Sequence, residues 1–534
     1  MTKVLNTISI PPNDEWQNSV SYTIKLEAQL KILLVYPQYP DTFWSFKHAL
    51  KFISKKASFP PLGLLTVAAM LPENWQKKLI DLNVTALNDK DIKWADYVFI
   101  SAMTVQRDSV EEVIARCKRL GTRIVAGGPL FTTGYEEYKG VDHFVLGEAE
   151  VTLPRFLADL QKGCAQAVYA SNERPDIRET PVPLWSLINM KHYQSMNIQY
   201  SRGCPFDCEF CDIIVLNGHK PRTKDKAQLA NELEALYTRG WRGSVFVVDD
   251  NFIGNKRKLK EETLPAMIEW SKKRRSPFAF YTEASINLAD DEELMQLMIE
   301  AGFTRVFIGI ETPNEESLTE CNKLQNKGRD LAASVKKLQH YGIEVQGGFI
   351  IGFDSDPLSI FRSQINFIQK SGIVTAMVGL LNAPRGTKLY QRLKRENRLL
   401  QNMTGDNTDC SINFIPKMNY ETLIEGYKYV VHTIYSPEHF YERVRVFLEE
   451  YKPPKLNSLP RLEFRHIIAL IGSIWILGIV EKGRRYFWKL TISTLFKHPR
   501  SLPLSIGLSI CGFHFRKVAE ELVGRSIERT PVSG

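Results

Sequence analysis

Short runs of Val, Ile, Leu and Phe alternate along this chain with segments whose apolar residues recur at helical spacing. In the first series, the apolar runs predict five buried strands, at 31–37, 77–83, 97–103, 123–129 and 143–150. Helical spacing separates them, at 61–71, 109–120 and 151–161. Strands that alternate with helices predict an α/β fold with a doubly wound, Rossmann-like parallel sheet, whose ligands bind at the carboxyl ends of the strands.

A second α/β series follows, with helical segments such as 227–240 and 291–302. Its apolar runs predict six strands, at 197–203, 244–251, 278–285, 305–312, 345–353 and 376–383. Six βα units predict a partial, TIM-like (βα)6 barrel instead of the full eight. Polar residues cluster at the carboxyl ends of these strands, which is where such barrels hold their chemistry.

These patterns predict the domain organisation. Residues 1–30 lack periodicity and are predicted to be an extension, and the proline-rich stretch at 172–185 predicts a linker. The predicted divisions are an extension at 1–30, a first domain at 31–175, a linker at 176–194, a barrel at 195–390 and a mostly helical C-terminal region at 391–534.

The C-terminal region contains fourteen uncharged residues, 467–480. A membrane-spanning helix needs about twenty, so the length favours a buried or interfacial helix. Two interpretations remain open: a helical subdomain that closes the open side of the barrel, or a segment that lies in a membrane interface.

Composition and charge narrow the class of protein. With 44% hydrophobic and 24% charged residues over 534 positions, the chain resembles a soluble protein of several domains. Eight cysteines are too few for a disulfide scaffold, and the N-terminus lacks the layout of a signal peptide, so we expect a cytoplasmic location. Of the net charge of +9, residues 461–534 contribute twelve Lys or Arg against five Asp or Glu. Because this excess is mixed with apolar residues, we expect peripheral membrane contact and no nucleic acid partner.

The most specific motif is SRGCPFDCEFCD at 201–212, in which Cys204, Cys208 and Cys211 form C-x3-C-x2-C after the first barrel strand. Thiolates suit zinc or iron–sulfur clusters. A structural zinc site needs four ligands, whereas three thiolates on a four-iron cluster leave one iron open. The alternatives are a zinc site completed by Asp212 or His219, or three buried cysteines without a metal.

The cysteine motif resembles the signature of the radical S-adenosylmethionine (SAM) superfamily, with Phe210 as the aromatic residue before the last cysteine. Over about 195–390, the resemblance implies a 4Fe–4S cluster on the three cysteines and SAM chelated to the fourth iron. One electron from an external low-potential donor then cleaves SAM into methionine and a 5′-deoxyadenosyl radical. The cofactors carry this chemistry, so no catalytic acid or base is expected from the protein.

The resemblance also implies SAM contacts at the strand ends. Carboxylates in 249–250 suit the methionine ammonium group, and glycines in 347–353 let the backbone approach the adenine. In a second interpretation, some of these carboxylates only cap helices or pair with Lys and Arg. The predicted SAM-binding residues are Phe210, Asp249, Asp250, Asn251, Glu283, Ser285, Glu311, Gly348 and Ile351.

The first domain resembles the cobalamin-binding domains that precede some radical SAM barrels. Small residues at the ends of parallel strands admit a flat, bulky ligand. The D-x-H-x-x-G signature that supplies a lower cobalt ligand is absent, so that ligand is left open, and a Rossmann-like domain without any ligand is the alternative. The predicted cobalamin-binding residues are Leu64, Ser101, Ala102, Met103, Thr104, Gly127, Gly128, Pro129, Gly147 and Glu148.

The segments 211–224, 248–257 and 512–517 extend the resemblance to the cobalamin-dependent radical SAM family that includes the bacterial hopanoid C-2 methylases. This resemblance implies a methyltransferase that acts on an unactivated carbon of a small molecule or lipid, such as a hopanoid, and uses two SAM molecules per turnover. A cobalamin- and SAM-dependent cyclase or rearrangement enzyme, like the anaerobic magnesium-protoporphyrin ester cyclase, is the alternative. A third hypothesis is a binding protein stabilised by iron–sulfur or zinc.

Overall fold

We analysed a computed structural model that describes residues 29–453 and 464–524. The described residues form two six-stranded parallel sheets, each covered by helices, followed by a helical C-terminal region. This architecture confirms the predicted α/β fold class. The predicted domain divisions stay predictions, and residues 1–28 of the predicted extension lie outside the described part of the chain.

The first sheet is buried on both faces, as the apolar runs predict. Ile32 and Leu34 of its central strand enter one hydrophobic cluster, whereas Leu33 and Val35 enter the cluster on the other face. The strand order is β2-β1-β3-β4-β5-β6. The six strands are β1 (Lys31–Tyr36), β2 (Gln76–Asp81), β3 (Tyr97–Ser101), β4 (Arg123–Gly127), β5 (His143–Val145) and β6 (Val168–Tyr169).

The order of this sheet reverses between β1 and β3, which opens a crevice at their carboxyl ends. Strand β6 was not predicted, because a strand of two residues has no detectable alternation. The helices of this domain are α1 (Lys47–Leu50), α2 (Leu62–Met70), α3 (Asp89–Trp94), α4 (Arg107–Leu120), α5 (Pro129–Gly134) and α6 (Ala149–Gln161).

The second sheet is the predicted six-stranded barrel, with consecutive strands as parallel neighbours in the order β14-β13-β12-β11-β10-β7. A separate antiparallel pair, β8 and β9, lies beside the cysteine motif. The predicted strand 197–203 is therefore split into two. These eight strands are β7 (Ser195–Ile198), β8 (Ser201–Arg202), β9 (Arg222–Thr223), β10 (Ser244–Val247), β11 (Ala279–Glu283), β12 (Phe303–Glu311), β13 (Glu344–Ile351) and β14 (Ala376–Leu380).

Alternate residues of the barrel strands face the helices and the lumen. In β12, Val306, Ile308 and Ile310 are fully buried, whereas Phe307 is only half-buried. The helices that cover the barrel are α7 (Ile213–Asn217), α8 (Lys226–Thr238), α9 (Lys256–Lys258), α10 (Leu264–Lys273), α11 (Glu292–Ala301), α12 (Glu315–Glu320), α13 (Leu331–His340), α14 (Ile360–Ser371) and α15 (Lys388–Arg395).

The C-terminal region packs against both preceding domains. Phe515 stacks on Phe43 of the first domain, with ring centroids 4.2 Å apart, and the Tyr435 hydroxyl donates to the carbonyl oxygen of Ala376 in β14 at 2.7 Å. Among the helices of the described ranges, none has both the length and the apolar character that crossing a bilayer requires. The helices are α16 (Tyr420–Tyr435), α17 (Pro437–Glu450), α18 (Phe464–Trp475), which continues as a π-helical turn (Ile476–Val480), α19 (Arg484–Lys497) and α20 (Leu502–Gly524).

Candidate functional site

The cysteine loop is anchored by two carboxylates at the end of β10. The Asp249 carboxylate accepts hydrogen bonds from the Tyr200 backbone N–H at 2.8 Å and from the Ser201 hydroxyl at 2.5 Å. The Asp250 carboxylate accepts from the Gly203 N–H and from the Asn217 amide, both at 2.9 Å. The two predicted SAM contacts therefore hold the chain immediately before Cys204, a role that neither interpretation of these carboxylates included, and their assignment to SAM stays a prediction.

Gly203 makes this anchoring sterically feasible. Its φ is +96°, and a Cβ there would lie 2.8 Å from the Lys220 carbonyl oxygen. A larger residue would thus be strained in backbone conformation and would clash with the neighbouring loop. The glycine in SRGC is required by the backbone path into the motif.

Three thiols and a buried cation meet beyond this anchor. Burial raises the pKa of the Cys204, Cys208 and Cys211 thiols, so each favours the protonated form in the absence of a metal. Burial also opposes the charge of Lys323, but Glu311 and the nearby thiols outweigh it and raise the pKa of this lysine. The Lys323 ammonium donates to the Glu311 carboxylate at 2.6 Å.

This donor set fits an iron–sulfur cluster. Soft sulfur ligands suit iron, and Lys323 offsets part of the negative charge that three thiolates bring. In the described ranges, no group of three or more His, Cys, Asp and Glu side chains is arranged to hold a single metal ion. His219 lies instead 3.9 Å from Asp207, measured from Nε2 to Oδ1.

The end of β12 is shaped around the Lys323–Glu311 pair. Glu311 lies at a register irregularity with φ +64°, and a Cβ at Gly309 would sit 2.8 Å from the Lys323 ammonium nitrogen. The buried Gln364 amide donates to the carbonyl oxygens of Glu311 and Ile350, at 3.0 and 3.1 Å. The buried amide compensates the backbone groups that the irregular strand end leaves unpaired.

The predicted SAM residues on β11 form an acidic group with those on β10. Asn251 and Ser285 are hydrogen bonded to each other, with Asn251 Oδ1 accepting from the Ser285 N–H at 3.2 Å. Burial, together with the negative charges of Asp250 and Asp249, raises the pKa of Glu283 to about 8. Such a group of desolvated carboxylates favours a bound cation, and SAM carries an ammonium and a sulfonium.

The predicted adenine strand agrees less well with its expected role. A Cβ at Gly348 would lie 2.8 Å from the Phe307 ring, so this glycine makes room for an aromatic side chain. Ile351 is fully buried and belongs to the hydrophobic core. Phe210 lies 6.2 Å from Phe353, measured between ring centroids. The assignment of these residues to SAM stays a prediction.

In the first domain, the small residues predicted to bind cobalamin bring three strand ends together. Gly128 has φ +86°, and a Cβ there would be 2.5 Å from the Ser101 hydroxyl oxygen and 3.3 Å from the Ala102 nitrogen. A Cβ at Gly127 would be 2.6 Å from the Val145 carbonyl oxygen. The ends of β3, β4 and β5 can approach each other this closely because these positions have no side chain.

The neighbouring residues border the crevice at the end of β3. Met103 is 44% exposed, and its N–H donates to the Gln106 side chain at 2.8 Å. Gln106 in turn donates to the Pro37 carbonyl at the end of β1. Thr104 is half-buried and Pro129 is exposed beside this opening, and the Gly147 N–H donates to the Thr132 hydroxyl at 3.0 Å. Their assignment to cobalamin stays a prediction.

Two predicted cobalamin contacts have other roles. Leu64 is buried in the hydrophobic cluster behind the sheet, because α2 turns this face inward. The Glu148 carboxylate forms ion pairs with Arg202 and Arg222, each at 2.8 Å, and has no free oxygen to offer a ligand. For Leu64 and Glu148, too, contact with cobalamin stays a prediction.

Arg202 is a contact that the sequence did not reveal. It lies two residues before Cys204 and also binds Glu150 at 2.8 Å, in addition to Glu148. Burial opposes the ionisation of Glu150, but Arg202 outweighs it and lowers the pKa of this carboxyl to about 2. The first domain therefore binds the cysteine loop directly, through a buried cluster of ion pairs.

Trp44 is a second unexpected residue. It follows β1 of the first domain, yet its ring lies 5.4 Å from Phe307 of the barrel, and its Nε1–H is 3.1 Å from the Met377 sulfur. The first domain thus inserts an aromatic side chain into the barrel lumen. No signal in the sequence indicates this insertion, and none indicates the place of Lys323 beside the thiols.

Comparison with known proteins places these two sites in one context. The radical SAM superfamily profile matches residues 198–363, a B12-binding domain profile matches residues 53–157, and a domain of unknown function matches residues 387–528. These matches confirm both predicted domain types and, with them, the iron–sulfur cluster, SAM and cobalamin as cofactors.

Relatives that match along most of their length support the same assignment. An uncharacterized methyltransferase of Synechocystis sp. is 41% identical over 93% of this chain and 94% of its own length. The hopanoid C-2 methylase of Rhodopseudomonas palustris is 33% identical over 88% of this chain and 90% of its own length. The radical SAM methyltransferase TsrM of Kitasatospora setae, solved with cobalamin and a 4Fe–4S cluster, shares the fold with a TM-score of 0.61 over 92% of this chain and 100% of its own, at 12% identity.

Proposed function

This chain belongs to the cobalamin-dependent radical SAM methyltransferases, the family that includes the hopanoid C-2 methylase, and from this premise we propose that it methylates an unactivated carbon of a hopanoid-type lipid. The chain is a carbon methyltransferase by its family, whereas the identity of its substrate is our inference. The inference rests on the side chains of the barrel lumen and on the hopanoid C-2 methylase named above.

The observation that carries the proposal is the apolar wall of the barrel lumen. Trp44, Phe307 and Met377 lie together there, with Trp44 contributed by the first domain. When bound, the iron–sulfur cluster supplies the electron that cleaves SAM, and cobalamin carries the methyl group. The wall itself excludes water and offers contacts suited to a polycyclic hydrocarbon, which needs shape more than hydrogen bonds.

The protein residues hold the two cofactor sites in a fixed relation. Asp249, Asp250 and Arg202 position the cysteine loop, and Lys323 lies beside its thiols. We expect the acidic group that includes Glu283 to orient SAM by its positive charge. An external low-potential electron donor completes the proposed reaction.

The cyclase alternative is the weaker one. Both relatives that cover about nine-tenths of this chain are named as methyltransferases or methylases. Product mass separates the two reactions, because methylation adds a carbon and cyclisation does not.

Deletion of the gene in its host, followed by mass spectrometry of total lipids, tests the substrate. We expect the loss of a polycyclic lipid one methyl group heavier than its parent, restored by the wild-type gene and not by Cys208→Ala. An unchanged lipid profile would contradict the lipid substrate. In parallel, purified reconstituted enzyme should form 5′-deoxyadenosine from SAM and a reductant, and failure to do so would contradict radical chemistry altogether.

A further inference from the structure

An exposed apolar face covers the outer side of α18, the π-helical turn and α19. Its most exposed members are Ile471 at 62%, Trp475 and Val480 at 61%, Ile492 at 52%, Leu495 at 50% and Phe496 at 80%. Contiguous apolar surface of this kind is rare on a soluble monomer and marks a contact with another apolar phase or molecule. We call these six residues the hairpin face.

The same two helices are apolar on their inner side as well. Leu477, Phe487 and Leu490 are buried against the rest of the molecule, and a Cβ at Gly472 would touch the Phe52 ring at 3.5 Å. An apolar face of a surface helix normally packs against another apolar surface. The helical hairpin of α18 and α19 is therefore attached to the rest of the molecule by its inner side. Within the described part of the chain, no other segment covers its outer side.

The positive charge around the hairpin face indicates what binds to it. Residues 464–500 contain seven Lys or Arg and one acidic residue, Glu481, which is ion paired with Arg516 at 2.7 Å. Six of these cations are exposed, and none forms an ion pair with a carboxylate among the described residues: Lys482, Arg484, Arg485, Lys489, Lys497 and Arg500. An apolar face with a cationic border complements an anionic lipid surface, where the cations meet headgroups and the aromatic rings reach the acyl boundary.

A second copy of the chain, or another segment of the same chain, fits this positive charge less well than a lipid surface does. Two copies of the hairpin face would bring their cationic borders together and repel each other. The three segments outside the described residues, 1–28, 454–463 and 525–534, carry formal charges of only −1, +1 and +1. None of them supplies the acidic complement that six exposed cations require.

An aromatic series connects the hairpin with the barrel lumen. Phe52, which contacts Gly472 of α18, packs on Phe513 of α20, with ring centroids 5.8 Å apart. The next residues of α20 reach Phe46, since His514 lies 5.5 Å from it, and Phe46 lies 6.3 Å from Trp44. Apolar side chains are thus continuous from the exposed hairpin to the Trp44–Phe307 wall.

We propose that the hairpin face docks the enzyme onto an anionic phospholipid bilayer. This docking requires no particular substrate. That it also brings a bilayer-resident substrate to the barrel rests on the proposed function. The two parts are tested by different measurements.

Vesicle flotation of the full-length reconstituted enzyme tests the docking. We expect binding to vesicles that contain phosphatidylglycerol and much weaker binding to pure phosphatidylcholine, with loss at high salt. Trp475→Glu or Phe496→Glu should weaken partitioning by about tenfold or more, because each removes a large ring from the acyl boundary. Arg485→Glu combined with Lys489→Glu should weaken it by about tenfold through charge alone.

Leu358→Glu is the matched control, since Leu358 is 70% exposed on a loop outside the hairpin and should bind vesicles like the wild type. Unchanged thermal unfolding and unchanged 5′-deoxyadenosine formation without lipid would show that the variants are folded. Absence of wild-type binding, or equal binding of Trp475→Glu and Leu358→Glu, would overturn the proposal. So would a wild-type dimer in sedimentation that Trp475→Glu converts to a monomer. Vesicle binding with an unchanged lipid profile in the deletion strain would reject the substrate and leave the docking intact.

Discussion

At the scale of single residues, the charge beside the three cysteines is supplied by a lysine far away in sequence. Lys323 and Glu311 are both buried, and their ion pair is 2.6 Å long. A buried pair is costly to form, but removal of one partner leaves an unpaired charge that costs more. The cysteines were identified from their spacing alone, whereas Lys323 has no local signal because only the folded strand end brings it to the thiols.

Lys323→Met should therefore destabilise the protein. It retains most of the length of the side chain and leaves Glu311 buried without a partner, for which we expect a loss of about 3–5 kcal/mol in the free energy of unfolding. Urea denaturation of the metal-free chain measures this loss without reference to activity. The double variant Lys323→Met, Glu311→Gln should recover most of it, because neither charge remains. Equal destabilisation of the single and double variants would show that packing, not charge, explains the effect.

At the scale of elements, the sequence predicted strands best where they are buried on both faces. The apolar runs that became β1 and β3 needed no tertiary information, since their residues face apolar neighbours on either side. The predicted strand 197–203 failed at Tyr200, because its N–H donates to Asp249 instead of to a neighbouring strand. Such side-chain competition for the backbone cannot be read from hydrophobic pattern.

The ion pairs between the first domain and the cysteine loop give a prediction at this scale. Arg202→Lys keeps the charge but loses the forked contacts to Glu148 and Glu150, and we expect a loss of about 2–4 kcal/mol in stability. Hydrogen exchange over 201–212 should accelerate, as the loop is released from the first domain. Arg155→Lys is the control, because its partner Glu173 is exposed and such pairs contribute at most about 1 kcal/mol. Unchanged exchange in Arg202→Lys would mean that Asp249 and Asp250 hold the loop without help.

At the scale of the whole molecule, the two cofactor domains are in direct side-chain contact. The sequence indicated both domains and their order, because each has its own pattern of strands and its own motif. It could not indicate how they join, since Trp44, Arg202 and Glu148 act across the domain boundary and have no periodicity of their own. The first domain and the barrel are connected by side chains that lie outside the two six-stranded sheets.

Trp44 allows this coupling to be measured. Its ring closes the lumen against Phe307, so its loss should leave cleavage of SAM intact and let the radical escape before it reaches substrate. For Trp44→Ala we expect about a tenfold rise in the ratio of 5′-deoxyadenosine to methylated product, which corresponds to about 1.4 kcal/mol in the partition between the two outcomes. Trp44→Phe keeps an aromatic ring against Phe307 and should show a much smaller rise. If both variants kept the wild-type ratio while methylation slowed, Trp44 would act in binding alone, and the lumen wall would not protect the radical.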